Sequence, residues 1–296
     1  MSRDYSDFST RSSSAAQGFA ESGRAKSWKE SLSRGAWQVL ALPLLVFLTL
    51  PLLALFWRTS PASFFAEVNQ KQVLQAIELS FATSTATTII TLILGTPVAY
   101  LLSQRRFRLH RVVDTLIDLP TVLPPSVAGV ALLMAFGRKG LLGPVLEEMG
   151  ISIPFTVAAV ILAQTFIASP FYVKAATLGF AAIDPELRQA AALDGASRWQ
   201  IFRHIILPLS WMSLLSGSVM TWARALGEFG ATIIFAGNFP GRTQTMPLAI
   251  YIGFEIDLNV ALTLSIILVF ISFLTLIIVK SILYHRLDHM QESDRL

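Results

Sequence analysis

Arg224 and Glu228 stand out first, because they sit four residues apart inside the apolar stretch W-A-R-A-L-G-E-F-G-A-T. On a helix that spacing puts both on one face, where each neutralises the other. Ionisable groups at membrane depth are costly and face a bundle interior or an aqueous path. The residues alone leave three readings open: an internal pair locking its helix to a neighbour, a polar face on a transport path, or a pair in the outer headgroup zone. Other reactive groups are scarce. None of His110, His204, His285 and His289 has a nucleophile or carboxylate arranged for catalysis. His285 and His289 have helical metal-ligand spacing, for which an exposed, frayed tail accounts. Cysteine is absent, which removes disulfides, thiolate chemistry and Cys-ligated metals. No G-x-x-x-x-G-K-[ST] occurs, so ATP hydrolysis by a P-loop is excluded and any such energy comes from elsewhere. The chain offers no active site, no metal set and no cofactor set of its own.

The second chemical feature is a polar island at 184–208, set between two strongly apolar stretches. Asp184 can cap a helix whose first position is Pro185. Glu186 then brings negative charge to the first turn, where the helix dipole favours it. Gly195 is a natural stop, and Ser197 with Gln200 has the form of a capping box that starts another helix. The expectation is a short helix, a glycine turn and a second helix climbing into the membrane. Ten residues do not hold a helix in water without something to pack on. Ala190, Ala191 and Ala192 give this one a smooth surface. A solvated connection and a docking surface for another protein both fit.

The elements that must position these residues follow from composition and hydropathy. A content of 53% hydrophobic residues, mean hydropathy of +0.60 and only 14% charged residues define an integral membrane protein and exclude an ordinary soluble enzyme. Residues 1–36 are Ser-rich with mixed charge and read as disordered or peripheral. Six spans follow, at about 37–57, 73–103, 112–137, 155–180, 205–237 and 260–284, with a tail at 285–296. Because a span buries its backbone polar groups only as a helix or closed barrel, and no strand-like alternation occurs, the fold class is all-α with six transmembrane helices. Gly95 with Pro97, Pro170, and the run L-P-T-V-L-P-P mark kinks or breaks. Sixteen Lys and Arg fall on the side of both termini and of the 184–208 loop, against five on the other side. That bias places both termini in the cytoplasm. The net charge of +4 therefore reports topology rather than nucleic-acid binding.

Several polar residues lie within the spans. Thr83, Ser84, Thr85, Thr87 and Thr88 suit close helix packing, with pore lining as the rival reading. The Pro-broken third span, at Pro124 and Pro125, can present a free helix N-terminus to an anion, or simply bend. Asp114 and Asp118 are expected to reach water or nearby Arg residues, and Lys174 to snorkel toward the inner interface.

The run Q-A-A-A-L-D-G-A, with I-I-L-P-L downstream, resembles the signature loop of permease subunits in binding-protein-dependent ABC importers. Gln189 stands where that family usually carries Glu, while Ala190, Ala191 and Gly195 are kept. The segments R-A-L-G-E-F-G-A-T-I-I-F-A-G-N, T-Q-T-M-P-L-A-I-Y, L-P-T-V-L-P-P-S-V-A-G and F-G-R-K-G-L-L-G-P resemble the molybdate-importer permeases, to which sulfate and tungstate permeases are related. The likeness covers roughly 75–285. It implies a transmembrane core at 73–284 and a coupling helix between spans four and five, formed by Asp184, Glu186, Gln189, Ala190, Ala191, Asp194, Gly195 and Ala196. It also implies a translocation path or gate at Arg224, Glu228, Thr232, Pro124 and Pro125. The implied partners are two copies of a cytoplasmic ATPase holding ATP and Mg, an external oxyanion-binding protein delivering to loops near 140–154 and 238–257, a second identical permease, and membrane lipid. A self-sufficient secondary transporter using Glu228 or Asp118 as a relay is the reading from a different class.

Overall fold

The computed structural model describes residues 39–104 and 109–293, with side chains to 281. The Ser-rich 1–36 segment, Arg105, Arg106 and Arg108 lie outside the described residues, as do the side chains of His285 and His289. Among the described residues every regular element is helical. The chain divides at Arg58 into two units. The first carries a single apolar helix, α1 (Val39–Arg58), long enough to cross a bilayer.

The second unit opens with α2 (Pro61–Val68), capped by the Ser60 hydroxyl, and α3 (Lys71–Ser103). The buried face of α3 is a stripe of small residues at three- and four-residue spacing, from Ala76 and Ser80 through Thr83, Thr87 and Thr91 to Gly95 and Ala99. Against it lie α7 (Val157–Ala181) and, past intervening elements, α10 (Trp211–Leu226). Glycines make the approach close. A Cβ at Gly217 would stand 2.8 Å from the Ala175 Cβ, and one at Gly179 would stand 2.5 Å from the Ser213 Cβ. Small residues facing each other let backbones meet without the hydrophobic driving force that water supplies. Thr83, Ser84 and Thr87 are accordingly buried in packing, and Thr87 donates to Gln164 Oε1 (3.1 Å).

Two of the six apolar stretches are broken rather than continuous. The third is α4 (His110–Val122) and α5 (Pro125–Phe136), meeting at 117°. Leu123 is extended, as a residue before proline must be, and Pro125 restarts the helix. After the short α6 (Gly143–Glu148) and α7 come α8 (Pro185–Leu193) and α9 (Arg198–Leu209), which bends by 69° into α10 at Ser210. Within α9, Phe202–Ile206 forms a π-turn ahead of Pro208, whose missing N–H disturbs the regular ladder. The expected fifth span, 205–237, does not continue as one helix. It stops at Leu226 and resumes as α11 (Gly230–Phe235), with two glycines flanking the gap. The supposed outward loop 238–257 is half helix: α12 (Met246–Ile256) is apolar and buries Met246 and Leu248. Last comes α13 (Leu258–Ser293), which stays helical beyond 284 instead of fraying there. Among the described residues four helices are long and apolar enough to cross a membrane singly, and up to six spans result when each bent pair is one span.

Candidate functional site: a capped two-helix loop and a capped ion pair

The 184–208 loop has the local structure its residues dictate. Asp184 Oδ1 accepts from the Glu186 N–H (2.8 Å), Gly195 turns the chain at φ +88°, and the Ser197–Gln200 capping box has both of its hydrogen bonds. Glu186, Gln189, Ala190 and Asp194 are exposed. Ala191 and Ala196 turn inward against the cluster of Tyr172, Phe180 and Ile206, and the Ala196 N–H closes the turn on the Ala191 carbonyl (3.0 Å). Four residues with roles here escaped the sequence reading. Leu187, Leu193 and Trp199 are exposed, Leu193 to 88%, so α8 and the start of α9 present apolar surface on a polar loop. Arg188 carries more than topological charge. Its Nη2 donates to the carbonyls of Phe180 and Ile183 (both 2.9 Å), the free carbonyls at the end of α7. Arg188 stands seven residues past Ala181, the last residue of α7, too far along the chain for the local sequence to mark the pairing. Beside this loop, α3 and α9 enclose a cleft of about 1180 Å³ lined by Thr96, Tyr100, Gln189, Arg198 and Trp199.

The second centre is the ion pair. Arg224 Nη1 lies 2.8 Å from Glu228 Oε2, at the end of α10 rather than inside a continuous helix. Glu228 is 1% exposed and also accepts the Ala231 N–H at Oε1 (2.9 Å), so one carboxylate pairs a cation and caps α11. Arg224 is less enclosed, its side chain 32% exposed. Pro125 adjoins this turn, since a Cβ on Gly230 would stand 2.5 Å from the Pro125 Cβ. A Cβ on Gly129 would meet the Ile234 Cβ at 2.7 Å and the Ala231 carbonyl at 2.9 Å. Thus Arg224, Glu228 and Pro125 share one locality. Pro124 is exposed next to it, and Thr232 is fully buried with no partner for its hydroxyl.

A second ionic cluster was missed. Lys174 Nζ lies 2.6 Å from Asp114 Oδ1 and 2.8 Å from Asp118 Oδ2. Lys174 therefore joins two helices instead of snorkelling alone, and the two aspartates meet a lysine rather than an arginine. The helical spacing of Asp114 and Asp118 called for a shared cation, but only the fold shows that Lys174 supplies it.

Among the described residues the chain is a helical bundle with two bent pairs of apolar helices and a capped two-helix loop that exposes apolar surface. Over residues 92–289 the sequence matches the family described as binding-protein-dependent transport system inner membrane component. The chain belongs to that family and is a multi-pass membrane protein. It is 42% identical over 233 residues to the molybdenum transport system permease protein ModB of Mycobacterium tuberculosis, covering 79% of this chain and 88% of that protein. To the Escherichia coli ModB it is 40% identical over 178 residues, covering 60% and 78% respectively. Among solved structures, a bacterial ABC transporter involved in the import of the acidic polysaccharide alginate superposes with a TM-score of 0.66 at 17% identity, covering 90% of this chain and 98% of that one. The inward-facing MetNI methionine ABC transporter gives 0.53 at 21% identity, covering 71% and 95%. At such identities these two establish the shared fold.

Proposed function

We propose that this chain is the transmembrane permease of an ATP-driven molybdate importer in the cytoplasmic membrane, with both termini and the α8 loop in the cytoplasm. The observation that carries it is α8: a helix locked at both ends by caps, fastened to the bundle through Arg188, Ala191 and Ala196, yet exposing Leu187, Ala190 and Leu193. Such a surface is made to be covered by another protein, and a separate ATPase holding ATP and Mg is the partner that supplies the missing energy. Relatives at about 40% identity named as molybdenum permeases supply the substrate class.

Two copies of the permease pair across the open side of Arg224, and each receives one ATPase. The substrate binding protein docks on the opposite face, at 140–154 and the 238–245 turn. Closure of the ATPase pair displaces α8, and the broken spans rearrange around the Arg224–Glu228 turn to alternate access. The guanidinium of Arg224 keeps donors free beyond the one used by Glu228, enough to offset a passing oxyanion without trapping it.

The test is ATP hydrolysis in proteoliposomes containing this chain, its candidate ATPase and the binding protein, loaded with each oxyanion in turn. Stimulation by molybdate-loaded but not sulfate-loaded binding protein supports the reading. Stimulation by sulfate or tungstate alone changes the substrate. Uptake driven by an ion gradient with no ATPase replaces the reading with a secondary transporter.

A further inference from the structure

The Lys174 cluster has a place in the bundle that the transport cycle described above does not use. On α4 only Pro120 is fully buried, and its hold on the bundle comes from Val113 and Ile117, which pack on the Tyr172 and Phe180 cluster, from His110, whose ring donates to the Leu102 carbonyl of α3 (2.8 Å), and from the two aspartates. Asp114 and Asp118 share one face of α4, four residues apart, and repel each other unless a cation lies between them. Lys174 supplies that cation from α7, within 2.8 Å of both carboxylates. All three side chains are only partly exposed, Lys174 to 34%.

The ends of this contact connect to the two centres. In one direction α7 ends at Phe180–Ile183, where Arg188 of α8 holds its carbonyls. In the other, α4 turns at Leu123 into α5, whose Pro125 and Gly129 lie against Gly230, Ala231 and Ile234 of α11. Glu228 caps that same α11 and pairs with Arg224. Between α8 and the Arg224–Glu228 turn there is thus an unbroken series of contacts. Its one ionic joint between separate spans is Lys174 with Asp114 and Asp118.

We propose that Lys174, with Asp114 and Asp118, is a positioning latch that makes α4 follow α7, so that displacement of the α8 loop reaches the broken third span. This rests on the importer reading above. A cation shared by two carboxylates suits a joint that must hold while its helices shift by an ångström or so, because the ammonium can favour either partner without release. Without Lys174 the two aspartates are left facing each other, and α4 loses the charge that draws it to α7.

The experiment uses the complete reconstituted complex and reads oxyanion uptake and ATP hydrolysis together. In Lys174→Met, which keeps side-chain bulk, assembly with the ATPase and basal hydrolysis remain while uptake per ATP falls by about fivefold or more, the lower end of the range that coupling between sites spans. The exchange Lys174→Asp with Asp118→Lys keeps the charge count and again places one cation between two carboxylates. It restores uptake per ATP to at least half the wild-type ratio. Unchanged coupling in Lys174→Met overturns the latch. So does failure of the charge exchange in a complex that assembles and melts like wild type, since the pairing would not then be what matters. A wild-type complex that never responds to loaded binding protein overturns the importer reading instead, and the two failures are separately visible.

Discussion

The Arg224–Glu228 pair predicts an asymmetry between its two members. Glu228 is 1% exposed and Arg224 32% exposed, so the carboxylate depends on its partner more than the guanidinium does. Arg224→Gln leaves a buried carboxylate with only the Ala231 N–H for company. Breaking a buried pair this way costs about 3–5 kcal/mol. Glu228→Gln is milder. Its amide oxygen still accepts from Ala231, so α11 keeps its cap, and the abandoned Arg224 is the less enclosed of the two groups. Its cost falls toward that of an exposed pair, about 1 kcal/mol. The gap of about 2–4 kcal/mol corresponds to roughly 5–15 °C in melting temperature.

The assay is thermal unfolding of the purified permease in detergent for both single variants and the double Arg224→Gln/Glu228→Gln. The double is expected near Glu228→Gln alone, well above Arg224→Gln, because no unpaired buried charge remains. If Arg224→Gln melted at or above Glu228→Gln, the burial argument would be refuted. The pair would then have to be described as a solvated contact of no structural weight.

Three further outcomes follow from the same geometry. Ser80→Ala removes the hydroxyl that accepts the Met246 N–H (2.7 Å) and leaves a buried donor at the start of α12, a loss of about 1–3 kcal/mol visible as a lower melting temperature. Gly129→Val drives a side chain into Ile234 and the Ala231 carbonyl, so α5 and α11 separate at a cost of about 2 kcal/mol or more, while Gly150→Ala, whose Cβ meets nothing within 4 Å, pays only for its φ of +72°. Since the chain has no cysteine, single cysteines report topology cleanly: a membrane-impermeant maleimide applied to intact cells should label Leu141→Cys at once and Ala190→Cys only after permeabilisation, and the reverse pattern would invert the orientation.

What could be read from the sequence was mostly local. The α8 boundaries follow from Asp184, Pro185 and Gly195, each acting on its own few neighbours, and the capping box of Ser197 needs only Gln200. Apolar length likewise fixes where chain crosses the membrane. The partners that were missed are distant in sequence. Nothing near Lys174 announces Asp114, sixty residues earlier, and Arg188 looks like one more cytoplasmic charge until α7 is seen to end beside it. The break at Gly227–Phe229 had a signal in its paired glycines, but the long apolar run outweighed it. The helix Met246–Ile256 had one too, in Thr245 before Met246 and Pro247.

The breaks themselves show why those distant partners exist. A helix interrupted at membrane depth exposes backbone N–H groups that lipid cannot satisfy. Here the remedy is a side chain from elsewhere: Glu228 reaches forward to the Ala231 N–H, and Ser80 on α3 reaches across 166 residues to the Met246 N–H. Each cap holds its break open as a defined turn instead of letting the span anneal into a straight helix. A straight span is one rod, whereas these capped breaks give α11 and α12 directions of their own, separate from that of α10. Two of the buried polar groups of this bundle, Glu228 and Ser80, thus serve its interruptions, while Thr83, Thr87 and Gln164 serve the packing of continuous helices.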